Sequence, residues 1–157
     1  MGLPASGKTT FYRERFATTH VHVSKDLLPR RADKERRQRE QLRQALGEGR
    51  DVVVDNVNAT VEARAWLIAE AHAHGARVVG YVFETTPADC LERNRERIGS
   101  ARVPAVAIHA AAKRLQPPRA EEGFDALFRV RLRAHNGEGF DLEPMGVLPV
   151  AREGGGA

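Results

Sequence analysis

Short apolar runs alternate along the chain with longer stretches of helical period. Thr19-His20-Val21-His22-Val23-Ser24 alternates apolar and polar side chains and predicts a short strand ending at Lys25-Asp26. Pro29 interrupts, and Arg30 to Leu46 reads as a charged, largely exposed helix closed by Gly47 and Gly49. Asp51-Val52-Val53-Val54-Asp55 is an apolar run between carboxylates, the pattern of an inner strand covered on both faces of a parallel sheet. Thr60, with Glu62 behind it, starts a helix that puts Val61, Ala65, Ile68 and Ala69 on related faces and stops before Gly75, with Trp66 assigned to the core. Arg77 to Phe83 is the next strand. Thr86-Pro87-Ala88-Asp89 combines a hydroxyl cap, a proline at the first helical position and a carboxylate in the first turn, and the helix it starts is predicted to reach Ile98. Pro104 opens a further helix through Leu115, Pro117-Pro118 stops it, and Leu127 to Leu132 forms the last strand.

This order of strand, helix, strand, helix calls for an α/β fold with a parallel sheet, right-handed crossovers and a ligand at the carboxyl ends of the strands. Asp26 and Asp55 both fall at such ends. With 157 residues the chain fits one domain, able to remove roughly 70% of its unfolded surface from water. The periodic part spans residues 1–133. Residues 134–157 carry several glycines and prolines without a clear period, closing on Gly154-Gly155-Gly156, and predict a loosely packed tail.

Composition narrows the class further. Hydrophobic content of 41% with 29% charged residues is ordinary for a globular protein, and no apolar run approaches a bilayer span. No basic-then-apolar leader opens the sequence, and the single cysteine, Cys90, has no internal disulfide partner, so a reducing cytoplasm is expected. Cys90 reads as a small core residue. A net charge of +4 is compatible with an anionic partner without requiring one.

The chemistry is concentrated at the start. Gly2-Leu3-Pro4-Ala5-Ser6-Gly7-Lys8-Thr9 is a complete G-x-x-x-x-G-K-[ST] phosphate loop. Its glycines let backbone N–H groups converge on phosphate oxygens, Lys8 reaches the β- and γ-phosphates, and Thr9 offers a hydroxyl to Mg²⁺. The cofactor-binding set is Gly2, Pro4, Ala5, Ser6, Gly7, Lys8, Thr9 and Thr10. Such a loop ordinarily lies between a buried strand and a helix. Residues from Gly7 to Arg15 supply the helix, with Phe11 and Phe16 available for packing. Only Met1 stands before the loop, so the fold is expected to lack its first strand, as in a truncated chain; an apolar run of about five residues upstream would restore it.

Beyond the loop, V-S-K-D (Val23 to Asp26), V-V-V-D-N-V-N (Val52 to Asn58), E-R-N-R-E-R (Glu92 to Arg97), R-V-P (Arg102 to Pro104) and E-E-G-F (Glu121 to Phe124) give the chain a pattern that resembles polynucleotide 5′-hydroxyl kinases over residues 2 to 132. The resemblance implies an ATP-dependent phosphotransferase that uses Mg²⁺ and moves the γ-phosphoryl group to a hydroxyl, above all the 5′-hydroxyl of a nucleic acid. In one branch of that family the base follows the second strand, which points to Asp26. In the other it is the aspartate of the D-N-x-N segment, which points to Asp55, with Asn56 and Asn58 holding it or the substrate. A carboxylate closing an apolar strand is well placed on the metal side, so Asp26 is assigned the proton and Asp55, with Thr9, the Mg²⁺. The resemblance also implies that Arg93 and Arg97, one helical turn apart, contact ATP phosphates as catalytic cations beside Lys8.

The rival readings are a small-molecule or nucleoside kinase, since the same loop serves many acceptors, and a non-catalytic nucleotide- or nucleic-acid-binding module. Arg30, Arg31, Arg36, Arg37, Arg39 and Arg43 could track a phosphodiester backbone, but Asp33, Glu35 and Glu40 are interleaved and no aromatic array accompanies them, so a solvated helix is the default. His20, His22, His72 and His74 lack metal-ligand spacing and read as surface histidines.

Overall fold

The structure, a computed structural model, describes residues 1–29, 33–133 and 139–146. Five α-helices, α1 (Lys8–Arg15), α2 (Lys34–Gly47), α3 (Val61–Ala73), α4 (Pro87–Arg95) and α5 (Ala105–Arg114), alternate with β1 (Val21–Val23), β2 (Val52–Val54), β3 (Val79–Phe83) and β4 (Ala126–Leu132), and β5 (Phe140–Pro144) follows. The helix starts obey local chemistry. Thr60 caps α3 by accepting from the Ala63 amide, and Thr86 and Asp89 form a reciprocal capping box at α4 with Pro87 at the first helical position. Asp33 accepts from the Arg36 amide, so α2 begins at Lys34. Arg30 and Arg31, predicted within that helix, lie outside the described residues. Helix α4 ends at Arg95, with Glu96 as its cap residue, short of the expected Ile98.

β1 pairs in parallel with β2, and β3 in parallel with β4, while β5 runs antiparallel to β4. The sheet is thus parallel where the sequence predicts it, but divided in two: β1-β2 and β3-β4-β5. No strand precedes the phosphate loop among the described residues, and between β2 and β3 lies a cavity of about 370 Å³. This corrects the expectation that Val52 to Val54 form an inner strand covered on both sides; all three are only half-buried. Met1 marks the upper end of the gap. Its amino group donates to the Tyr81 carbonyl at 2.5 Å, and its own carbonyl accepts from the Phe83 amide at 2.9 Å, a single rung of ladder on β3.

Alternation along β3 and β4 sends side chains to two apolar layers. Tyr81, Phe83 and Val130 pack with Phe11 and Phe16 of the α1 region, whereas Val78, Val82 and Leu127 pack with Ile68 of α3, Phe124 and Met1. Phe140 of β5 completes the first layer, 2% exposed and edge-on to Phe11 with ring centroids 5.0 Å apart. Part of the stretch expected to be a loose tail is therefore a strand, paired because Phe140 alternates inward while Asp141 and Glu143 face water. Residues 134–138 and 147–157 lie outside the described residues.

Helix α3 turns a different face inward than its apolar residues suggest. Arg64 and Ile68 are its buried positions, Val61 is 41% exposed, and Ala65 and Ala69 are exposed. Trp66, assigned to the core, is half-buried beneath the Arg39 guanidinium, 4.8 Å from its ring centroid. Arg64 can be buried because each of its three nitrogens is met and four of its five N–H donors are used. It makes a bidentate pair with Glu122 (2.6 and 2.8 Å) and donates to the carbonyls of Asn58 (3.1 Å) and Gln116 (3.0 Å). Desolvation pushes the Glu122 carboxyl up, but the Arg64 hydrogen bond and the Arg119 amide outweigh it and leave the carboxyl below its ordinary range. Replacing Arg64 by Met strands this carboxylate and two carbonyls, and urea titration should show a loss of about 3–5 kcal/mol.

Candidate active site

The phosphate loop is built by backbone conformations that few residues adopt. Gly2 has φ +149°, and a Cβ there would lie 2.9 Å from Phe83 Cβ and 3.2 Å from Ser6 Oγ, so only glycine passes. Ala5 (φ 62°) and Gly7 (φ 96°) are left-handed, turning the loop so that Gly7 becomes the N-cap of α1 without any side-chain cap. The first-turn amides of α1 are thus left for an anion. Leu3 and Ala5 anchor the loop in an apolar cluster with Cys90 and Ile108; Ser6 is buried, Pro4 half-buried and Thr10 exposed. Cys90 is the core residue the sequence suggests, fully enclosed against the loop.

Lys8 folds back over this cradle. Its Nζ donates to the carbonyls of Leu3 (2.6 Å) and Gly2 (3.0 Å) and to Ser6 Oγ (3.3 Å). Desolvation lowers its pKa from 10.5 to about 8, with Arg97 lowering it further while Asp55, Cys90 and Asp26 oppose the shift. An ammonium held this way, over neutral acceptors, gains from an arriving polyphosphate both charge and better acceptors.

The opposite wall is the pair of strand ends. Ser24 Oγ donates to the Asp55 carbonyl at 2.8 Å, the Asp55 amide donates to the Val23 carbonyl at 2.9 Å, and the Lys25 amide donates to Asn56 Oδ1 at 3.0 Å. The 3₁₀ turn Lys25–Leu27, which carries Asp26, is therefore locked to the loop that carries Asp55. Lys25 pairs with Glu35, and Lys34 Nζ donates to the Lys25 carbonyl at 2.9 Å, so α2 pins the same turn from outside. The two aspartates differ in environment. Asp55 is 8% exposed, and its Oδ2 accepts from Thr9 Oγ1 at 2.7 Å and lies 3.2 Å from His22 Nε2. Asp26 is exposed, and its carboxylate makes no hydrogen bond or ion pair among the described residues. Asn56 Nδ2 is buried without a partner among the described residues, and Asn58, in a left-handed conformation (φ 47°), is held through its carbonyl by Arg64.

His22 is a site residue that the sequence reading missed. It stacks on Tyr12 with ring centroids 3.9 Å apart and reaches the inner aspartate, so it is not a surface histidine. Its alternation with Val21 and Val23 sends it toward α1; recognising this needs the register of β1 against β2, in which it sits opposite Val53.

The two arginines near α4 have separate positions. Arg93 Nε donates to the Ala5 carbonyl at 2.9 Å and so braces the loop. Arg97 lies beyond the end of α4, contrary to the expectation of one shared helical face, and among the described residues its side chain donates to the Ala101 carbonyl at 3.3 Å. Neither pairs with Glu92 or Glu96 among the described residues. Along α2 the basic residues are largely neutralised: Arg36 pairs with Glu40, Arg39 with Glu35 and Arg43 with Glu70, as the solvated-helix reading expects.

Thr9 Oγ1 and the Asp55 carboxylate form an adjacent pair of hard oxygen donors, which fits Mg²⁺, an ion that takes few protein ligands and leaves its other positions to water and substrate phosphates. Among the described residues no three His, Cys, Asp or Glu side chains converge as a self-sufficient metal site, and no helix is long and apolar enough to cross a membrane.

Loop, uncapped helix N-terminus, lysine and strand-end carboxylates together have the arrangement of a P-loop NTPase-like domain. A protein-family model described as AAA domain matches residues 1–118, which include every residue of this site. With most of its length inside that match, the chain belongs to the AAA domain family.

Proposed function

We propose that the protein is an ATP-dependent phosphotransferase acting on an alcohol, and that Asp26 is the base. The observation that carries this reading is the contrast between the two aspartates. A base must be open to the acceptor hydroxyl, and Asp26 is open; Asp55 already holds Thr9 and lies beside His22, as suits a carboxylate supporting a metal. The Lys25–Leu27 turn that carries Asp26 is tied to the Asp55–Asn56 segment by the Ser24 hydroxyl and the Lys25 amide, which keeps the open carboxylate beside the phosphate side of the site.

In this reading ATP lays its phosphates on the loop amides, and Lys8 leaves the Gly2 and Leu3 carbonyls for the β- and γ-phosphates. Bound at Thr9 and Asp55, Mg²⁺ would supply charge neutralisation to the phosphates. The acceptor hydroxyl attacks the γ-phosphorus, its proton passes to Asp26, and the bond to the β,γ-bridging oxygen breaks with ADP as the leaving group. Arg93 keeps the Ala5 carbonyl, and with it the loop, in place, while Arg97 swings to spread charge on the transferring group. Asn56 Nδ2 is a ready donor for the acceptor or the phosphate, and Asn58 shapes the wall beside it. The free thiol of Cys90 and the use of ATP suit a reducing cytoplasm.

The 5′-hydroxyl of a nucleic acid is the acceptor implied by the resemblance to polynucleotide kinases. The paired arginines of α2 favour the second reading, a small hydroxyl substrate, because they offer little unmatched charge to a phosphodiester backbone.

Asp26→Asn should lower kcat by about 10²- to 10⁴-fold in a radiolabelled γ-phosphate transfer assay while ATP affinity is kept; full activity would remove Asp26 as base. At saturating ATP, an oligonucleotide acceptor should show a log–log salt slope of about −0.7 per phosphate contacted, whereas a flat response accompanied by efficient use of a neutral small alcohol would establish the second reading. Phosphate binding favours charged Lys8, so its pKa rises from about 8 in the complex and protons are taken up on binding. ATP affinity should therefore weaken as pH rises above 8, by up to about tenfold per pH unit, in titration calorimetry; invariance to pH 10 would contradict the assignment.

A further inference from the structure

Four side chains close into a ring where α1 crosses the strand pair. In the parallel register His22 lies opposite Val53, and Asp55 is two residues beyond Val53, so His22 and Asp55 share one face of the sheet. On α1, Thr9 and Tyr12 stand three residues apart and look out from one side of the helix. Thr9 Oγ1 donates to Asp55 Oδ2 at 2.7 Å, and Tyr12 stacks on the His22 imidazole with the rings 18° from parallel. The ring closes through His22 Nε2, which lies 3.2 Å from the same Oδ2.

Cover for Tyr12 needs no nitrogen at position 22, since a phenylalanine would stack there as well. What only the imidazole adds is a donor. An ionised carboxylate accepts and never donates, so the partner assigns the hydrogen to Nε2. Asp55 Oδ2 then takes two donors, while Oδ1 accepts no hydrogen bond among the described residues. The two donors are unequal. Thr9 belongs to the phosphate loop and is also the hydroxyl assigned to Mg²⁺, whereas His22 stands on β1, outside the loop. A carboxylate held by Thr9 alone would turn readily about its Cβ–Cγ bond, whose torsional wells are broad. A second donor on the same oxygen, carried by a ring that is itself clamped against Tyr12, removes that freedom.

We propose that His22 is a positioning residue for the metal side of the site: its Nε2–H, steadied by the stack on Tyr12, holds Oδ2 of Asp55 and so keeps Oδ1 available to Mg²⁺ and the water bound to it. This rests on the assignment of Asp55 to the metal in the phosphotransferase reading. Partners of this kind, one step removed from the ion, set the orientation of the group that serves it.

Two substitutions separate the donor from the ring. His22→Phe keeps a ring on Tyr12 and removes the donor, whereas His22→Gln gives up the ring and keeps an N–H at a similar reach. Affinity for β,γ-imido-ATP is measured by calorimetry in Mg²⁺ and in EDTA, so no phosphate transfer is needed. Loop amides and Lys8 act in both conditions, and His22→Phe should leave the EDTA affinity unchanged. Its gain in affinity on adding Mg²⁺ should fall by about tenfold or more, and His22→Gln should restore most of that gain. A full Mg²⁺ gain in His22→Phe would overturn the proposal. So would an equal loss in both conditions, or equal damage in the two variants, which are the marks of a packing role. A wild-type chain without any Mg²⁺ gain would remove the metal from Thr9 and Asp55, and this role of His22 with it. The expected pattern without phosphate transfer to any alcohol would remove the phosphotransferase reading and leave His22 where it is placed.

Discussion

No backbone ladder joins β2 to β3, so the two halves of the sheet are held in register by a few hydrogen bonds at the carboxyl ends of the strands. Gly2 donates to the Val57 carbonyl, Thr9 to Asp55, Gln116 to the Ala59 carbonyl, and Arg64 to Asn58. Every one of these reaches the segment from Asp55 to Ala59. That segment is at once the hinge between the halves and the wall of the phosphate site, so the geometry of the chemistry and the integrity of the fold depend on the same short stretch. Arg64 acts on it from behind: a guanidinium 2% exposed is tolerable because four of its five N–H donors are used, and two of the four acceptor atoms are carbonyls that fix this stretch to the residues after α5.

The same constraint separates the roles of the two aspartates. Asp55 closes a strand whose neighbour on one side is β1 and on the other an open gap, and its carboxylate is drawn toward α1 by Thr9. Asp26 lies in the turn that follows β1, capped by Ser24, whose hydroxyl donates to the Asp55 carbonyl and accepts from the Asp26 amide. One serine thereby positions both carboxylates, one inward against the loop and one outward toward solvent. Two carboxylates of like charge near one lysine need not compete when one is consumed by hydrogen bonds and the other is left open.

Much of this was legible in the residues because it rests on local rules. The loop, the capped starts at Thr60 and Thr86, and the four parallel strands follow from glycine conformations, cap chemistry and short apolar runs, all within a few residues of each other. What escaped depends on partners distant in sequence. Arg64 reads as a surface position until Glu122 is folded against it, and the face of α3 was misassigned for that reason. His22 reads as solvent-facing until β1 meets α1. β5 is exposed at four of its five positions and owes its place to Phe140, which finds Phe11 and Phe83 only after the chain has returned. Arg97 was placed on a helix that stops before it.

The edge of β3 and the phosphate site are one mechanical system, because Met1 and Gly2 are consecutive and belong to each. The Met1 carbonyl is fixed by Phe83, the Gly2 amide by Val57, and the Gly2 carbonyl receives Lys8. Any looseness at the edge of β3 is therefore passed through a single peptide unit to the lysine that must exchange loop carbonyls for phosphate. Conformational freedom left in the loop must be lost when phosphate binds. Order at this edge sets the loop before the nucleotide arrives, which is preorganisation in the physical sense: the cost of arranging the amides is met by folding rather than by binding.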